Sequence, residues 1–357
     1  MNTINMRHTI ILISIVFTVT TACSSEAQIV PDSTWYRYES PEQAGFSSDG
    51  IADAKAYADS LGSKAVMLIH DGAIVTEWGN TDELAPVASI RKSMFSALIG
   101  IAEHEGAIDT SSTMGELGIT DSTPLTPLEK RATVRDLLIS SSGVYLPASG
   151  EGPGNNKPPR GSAEPGEQWY YNNWDFNVLA SIYEQQTGMG MYEALGEKLA
   201  EPVGMENYDI NWGSYRYQPN RSEHASFHLW MTARDMARFG LLYLNNGRWG
   251  DEQIVPESWV EESGNVLIDV PYEPVAGFGL SWWVPAGQLM QYDTYLASGA
   301  GSQVVMVIPE LDMVYVQRAS AILERGVDGL QSRDIFLKLL DARDGEADEN
   351  PTYVAVE

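Results

Sequence analysis

The stretch Ser89-Ile90-Arg91-Lys92-Ser93-Met94-Phe95-Ser96-Ala97-Leu98-Ile99-Gly100-Ile101-Ala102 limits the possible folds more than any other part of the chain. It carries apolar residues on nearly every face, and a helix with no polar side must be enclosed all round. The pattern predicts a buried central helix that stops near Gly106, after Glu103-His104-Glu105. Everything else has to wrap it.

The wrapping elements are readable on both sides. Residues 65–78 are two apolar, β-branched runs separated by His70-Asp71-Gly72, which predicts an antiparallel hairpin. Residues 279–284, 303–308 and 313–317 read as three more strands, the last two joined across Pro309-Glu310-Leu311-Asp312. A helix over about 330–340 comes next, and the acidic residues 343–357 after it are expected to form a mobile tail. Between the strands lies a mostly helical middle, with caps at Thr126-Pro127 before Glu129 and at Thr232 before Asp235. Strands at both ends therefore bracket a helical insert, an α/β (α+β) chain. Residues 143–166, dense in Gly, Pro, Asn and Ser, are too long for an ordinary connection and read as a loop over a site.

With 357 residues, 43% of them apolar, the chain can bury a sizeable core in one large domain or two interleaved ones. The net charge of -27 leaves no basic surface for phosphates, so neither nucleic acid nor anionic lipid headgroups are expected partners. Residues 1–27 have the layout of an export signal: Arg7 and His8, an apolar run from Ile10 to Val19 too short to span a bilayer, then Thr20-Thr21-Ala22-Cys23. Cys23 is the only cysteine, so no internal disulfide can form. Its position suggests a lipid anchor, with cleavage near Ala27 as the alternative. The expected location is the periplasm or outer surface of the cell envelope, touching membrane only through Cys23.

A serine hydroxyl needs a neighbouring base to act as a nucleophile, and acyl transfer needs amide donors for the developing oxyanion. At the first turn of the central helix the Ser89 N–H is free and sits in the positive end of the helix dipole. Lys92, three residues on, returns to the same face, where burial lowers its pKa toward proton transfer. Of seven lysines, only Lys92 has a serine three positions before it. The same spacing also describes a helix cap followed by a surface lysine, so a second motif is needed. Trp169-Tyr170-Tyr171-Asn172-Asn173 offers tyrosines beside amides. Tyr-x-Asn occurs at Tyr170, Tyr171 and Tyr243, the last inside a helical pattern, and either Asn172 or Asn173 could cap the helix that follows.

No metal or cofactor is expected. His224 and His228 have helix-compatible ligand spacing, but neither a cysteine nor a zinc-protease Glu supports them. A Gly-x-Ser-x-Gly elbow is absent, against an α/β-hydrolase. Trp169, Trp282 and Trp283 are among the tryptophans able to line an apolar pocket, and Trp169 has the strongest claim through its nearness to Tyr171.

Ser89-x-x-Lys92, Pro165-Gly166-Glu167-Gln168-Trp169-Tyr170-Tyr171-Asn172-Asn173 and Ala297-Ser298-Gly299-Ala300-Gly301, in that order, resemble the class C β-lactamase and penicillin-binding-protein-like serine hydrolases. Within that family the chain looks closest to esterases and 6-aminohexanoate-oligomer hydrolases. The resemblance covers about residues 45–340 and implies a β-lactamase/transpeptidase-like fold. Its hydrolase domain would span 35–342, with an α/β part at about 35–88 and 270–342 and a helical part at about 89–269. It further implies that Ser89 is acylated, that Lys92 deprotonates it, that Tyr171 is the acid/base, and that Asn173 contacts the substrate amide. The backbone N–H groups of Ser89 and Ala300 would form the oxyanion hole, with Ser298, Gly299 and Trp169 beside the substrate.

The third motif departs from the family pattern, because Ala297 stands where a Lys or His is usual. A carboxylate-bearing substrate loses its counter-ion there, while an uncharged ester or amide loses less. The expected partner is thus a small ester or linear amide. The alternatives are a β-lactamase or D-Ala-D-Ala peptidase and, from another class, a lapsed enzyme that binds peptidoglycan fragments.

Overall fold

The computed structural model describes residues 29–31, 33–152, 156–320 and 327–356; the expected export signal and Cys23 lie outside them. The apolar segment forms the helix Ile90–His104, buried at every position from Ile90 to Ala102. The hairpin pairs Ala65–His70 with Ala73–Gly79, turning through Asp71 and Gly72, both at positive φ as a two-residue turn of this hand requires.

Ten strands of the described residues form one sheet. From edge to edge the order is Tyr353–Val356, Trp35–Tyr38, Ala73–Gly79, Ala65–His70, Met313–Arg318, Gln303–Ile308, Tyr295–Gly299, Trp283–Pro285, Val275–Phe278 and Ile268–Asp269. All neighbours are antiparallel except Trp35–Tyr38 against Ala73–Gly79. Alternation decides what each face meets. Val66, Leu68, Met306 and Tyr315 pack with the terminal helices Ser48–Leu61 and Gly329–Asp341. Met67, Ile69, Val305 and Val316 share a core with the central helix and with Ala233–Leu244. The expected antiparallel sheet flanked by helices, with a helical insert, is thus observed.

Local expectations met different fates. Thr232 caps its helix by accepting from the Asp235 amide at 3.1 Å, whereas Thr126 and Glu129 accept from each other's amides just ahead of a short 3-10 turn, Glu129–Arg131, that has no side-chain cap of its own. The strand expected at 279–284 is instead two, Val275–Phe278 and Trp283–Pro285, broken by a turn with Ser281 at φ 64°. The break has a use: the Leu280 and Ser281 carbonyls accept from Ser96 and Ser93 of the central helix, both at 2.7 Å. The helical part also contains a small sheet, Ser226–Met231 between Gly213–Arg216 and Ala85–Pro86.

The acidic C-terminal residues are not a loose tail. The amides of Asp344 and Gly345 donate to the Gly45 carbonyl, and Tyr353–Val356 extends the sheet beside Trp35–Tyr38, with Tyr353 against Tyr38. Backbone pairing at a sheet edge is indifferent to charge in the preceding residues, which is why acidity alone misjudged the segment. No helix of the described residues is long and apolar enough to cross a membrane.

Candidate active site

Ser89 occupies the N-cap of the central helix, but its side chain makes no capping bond, so the hydroxyl is not spent on the helix end. The residue before it, Ala88, is held at φ 50°, a left-handed conformation unfavourable for a side chain and often found where a reactive group is presented. Strand Tyr295–Gly299 ends against this turn. A Cβ on Gly299 would lie 2.5 Å from the Val87 carbonyl and 3.0 Å from the Ser89 nitrogen, so only glycine allows the approach.

Lys92, 4% exposed, donates from Nζ to the Tyr171 hydroxyl and to Asn173 Oδ1, each at 2.8 Å. Its Nζ lies over the Tyr171 and Phe176 rings. The Ser89 side chain acts on the Tyr171 hydroxyl, lowering its pKa, so serine, tyrosine and lysine neighbour one another in turn. Burial, joined by the Arg91 charge, holds Lys92 well below the ordinary lysine range, against weaker pulls from Asp175 and Glu151. Burial pushes Tyr171 up against smaller downward pulls from Ser89 and Arg91, so the phenol keeps its proton. A lysine whose ammonium form is disfavoured, reached through a protonated phenol, can take a proton from Ser89 and return it to a leaving group.

Alternatives left open by the residues are resolved by geometry. Tyr171 meets Lys92, whereas Tyr170 packs edge-on against Tyr145 and Tyr243 is core, against Phe239 and Trp282. Asn172 caps the helix Asn173–Thr187, leaving Asn173 for Lys92. Asn172 also donates to Val144 O at 2.7 Å and to Asp175 Oδ1 at 2.8 Å, and Ser142 donates to the same oxygen at 2.6 Å. These bonds fix the 142–144 loop to the tyrosine turn. Asp175 is fully enclosed, and burial raises its carboxyl well above the carboxylate range.

Trp169 stands 6.4 Å from Tyr171, and Trp283 stacks on Tyr171 at 5.3 Å. Tyr272 and Phe278 close the wall against Trp169. Trp282, by contrast, is core. Ala297 is wholly buried opposite Val305, on the face that meets the central helix. Ser298 belongs to the other face and lines an apolar cavity of about 510 Å³ with Trp283, Tyr272, Leu289 and Val304. Both ring nitrogens of His224 are engaged, by Ser181 and the Thr120 carbonyl, so it is a structural histidine. His228 bonds Ser226 at 3.2 Å; burial, then Arg91, Arg216 and Lys92, lower its pKa to about 4. The residues that sequence reasoning missed are Asp175, Phe176, Tyr272 and Arg91. Only Asp175 gave a local signal, an acid inside an apolar helical pattern.

A fold of this kind around a Ser-x-x-Lys helix defines a class of penicillin-recognising and related hydrolases, and the comparisons with known proteins agree. The beta-lactamase family model matches residues 52–319, and the chain belongs to that family. A Bacillus anthracis structure named as a candidate 6-aminohexanoate-dimer hydrolase is 25% identical, with a TM-score of 0.63 and 81% of each chain covered. A β-lactamase from Mycobacterium bovis, 20% identical, has a TM-score of 0.56 over 81% of this chain and 97% of that one. A D-aminopeptidase from Brucella anthropi is 27% identical over 173 residues, 41% of this chain and 32% of that protein. An uncharacterized protein of Alkalihalophilus pseudofirmus is 23% identical over 71% of this chain and 82% of its own.

Proposed function

We propose that this protein hydrolyses neutral carboxylic esters or linear amides through an acyl-enzyme on Ser89. The observation that carries the reading is the buried Lys92, hydrogen-bonded to Tyr171 and Asn173 at the foot of the Ser89 turn, with Ser89 acting on the Tyr171 hydroxyl.

In this mechanism Ser89 Oγ attacks the substrate carbonyl carbon while its proton passes by way of the Tyr171 hydroxyl to Lys92. The Ser89 and Ala300 N–H groups hold the oxyanion. Collapse breaks the C–O or C–N bond, and the leaving alkoxide or amine takes the proton back through Tyr171. Water then attacks the ester on Ser89 with the same proton route, releasing the carboxylic acid and the free serine. Asn173, bonded to Lys92 through its oxygen, keeps its NH2 group to orient a substrate amide.

The preference for uncharged substrates rests on Ala297, which offers no cation, and on the Trp169, Trp283 and Tyr272 wall. The 6-aminohexanoate-dimer hydrolase name of one relative agrees with linear-amide cleavage. A fluorophosphonate probe is expected to label the native protein and not Ser89→Ala; labelling that survives the substitution overturns the nucleophile, and no labelling of the native protein favours a binding module. Rapid nitrocefin turnover without turnover of p-nitrophenyl acetate or butyrate would reverse the substrate ranking. Export with a lipid on Cys23 completes the proposal: Cys23→Ser is expected to move the protein from the membrane to the soluble fraction, and an unchanged distribution argues against the anchor.

A further inference from the structure

Arg91 lies in the catalytic turn, and the mechanism above gives it no task. Its side chain is buried, at 8% exposure. One guanidinium nitrogen donates to the Ala88 carbonyl, and the group lies 5.1 Å over the Phe227 ring. Nε is enclosed with no acceptor, and among the described residues no carboxylate pairs with the guanidinium. A buried, unpaired cation is expensive and is kept only where something else depends on it.

Two structural facts show what depends on Arg91. The carbonyl it holds belongs to Ala88, the left-handed residue that presents Ser89 to Gly299. The side chain that follows it is Lys92. The groups facing Lys92 from the other packed elements are Tyr171, Asn173 and Asp175 of the tyrosine turn and its helix, Glu151 of the 143–166 loop, and His228 of strand Ser226–Met231. Glu151 is paired with Lys157 at 3.1 Å, burial favours the neutral form of Asp175, and His228 is neutral above about pH 4. Arg91 is thus the fixed positive charge beside the amine. A second positive charge in the same enclosure disfavours the ammonium form.

We infer that Arg91 is a positioning residue: it clamps the Ala88 turn that presents Ser89 and sets a second buried cation beside Lys92, the proton acceptor. This rests on the reading of Ser89 and Lys92 given above. The test is the pH dependence of Ser89 labelling by a fluorophosphonate, which needs no knowledge of the substrate, run on the native protein, Arg91→Met and Arg91→Lys, with melting temperatures in parallel. Arg91→Met is expected to move the acid limb of the labelling rate upward by about one pH unit, with the loss at neutral pH partly recovered at alkaline pH. Arg91→Lys retains the charge but not the planar fork, so the limb should stay in place while the rate falls at every pH. A limb that does not move in Arg91→Met, or that moves equally in Arg91→Lys, overturns the inference. So does a limb that stays fixed while only the preference for anionic over neutral esters collapses, because Arg91 would then be a substrate counter-ion. If Arg91→Met fails to fold, a displaced limb in Arg91→Lys still refutes it. Loss of labelling in Ser89→Ala is judged separately, so failure of the acyl-enzyme reading and failure of this one give different results.

Discussion

The two flanks of Ser89 are built on opposite plans. On the helix flank, Lys92 bonds Tyr171 and Asn173, and Asp175 bonds Asn172 and Ser142, all at 2.6–2.8 Å, with Lys92, Asn172, Asp175 and Ser142 buried. On the strand flank, Ala297 is apolar and wholly buried, and Gly299 contributes only backbone and close approach. A proton relay tolerates little change because every buried polar atom in it needs its partner. A strand that offers backbone donors and a shaped edge can lose a charge and still hold an oxyanion. Bond-making and substrate choice are therefore separable in this site.

The sharpest way to break that comparison is to remove the nucleophile. Ser89→Ala is expected to lower kcat on any ester that the native protein turns over by roughly 10⁴-fold or more, leaving the residue owed to binding and the oxyanion donors. Unchanged melting temperature would assign the whole effect to chemistry, since Ser89 caps nothing with its side chain. A loss of less than tenfold would mean that the helix flank is not where the bond is made.

Lys92→Met follows, with an expected loss of about 10²–10⁴-fold for removal of a general base. Stability should respond in the opposite direction. The folded-state pKa of Lys92 lies well below its ordinary value, so between the two the unfolded chain binds a proton that the folded chain lacks, and Lys92 costs stability that is recovered as pH rises toward about 10.4. The melting temperature of Lys92→Met relative to the native protein should thus be most favourable near neutral pH, with the advantage shrinking toward pH 10. An advantage that grows with pH would show a charged, paired lysine and a helix flank of ordinary electrostatics.

Smaller in effect is Ala297→Lys, which restores a cation to the strand flank. The ratio of kcat/KM for an anionic ester over its neutral analogue is expected to rise by about tenfold, the worth of one charge-assisted hydrogen bond. The melting temperature should fall, because the side chain starts in a core with no acceptor and the site already holds Arg91. A ratio that does not move means something other than the missing cation sets the substrate charge.

The same contrast explains what the sequence revealed. The central helix, the 65–78 hairpin and the 303–318 strand pair were legible because their signals are local: apolar spacing and turn residues. Ser89 and Lys92 were legible because three residues is a helical turn. Tyr170 and Tyr171 are adjacent and chemically alike, so only the position of Lys92, some eighty residues earlier, separates them. Arg91 looked like any charged residue in a helix until enclosure removed its partners. Ser298 was expected beside the substrate, and strand alternation puts it on the face opposite Ala297, lining the apolar cavity next to Trp283. The tail from 343 onward read as mobile because its acids mask the short Tyr353–Val356 run that the sheet edge recruits.

The cavity that Ser298 lines gives the finest test of the strand flank. It is walled by Leu289, Leu296, Val304 and Met306, and it adjoins the site through Trp283, which stacks on Tyr171. An apolar chain carried past Trp283 would enter it, and each methylene buried there is worth about 0.8 kcal/mol, roughly a fourfold gain in kcat/KM. Leu289 belongs to the 3-10 turn Gly287–Tyr292 and to no part of the proton relay, so Leu289→Trp narrows the cavity without touching the chemistry. p-Nitrophenyl octanoate should lose about fourfold for each methylene kept out, while p-nitrophenyl acetate, too short to reach the cavity, should be unaffected. Equal losses on both esters would mean that the substitution disturbs Trp283 and, through it, Tyr171. No loss on either would leave the cavity outside the substrate path and place chain-length selection on the Trp169 wall alone.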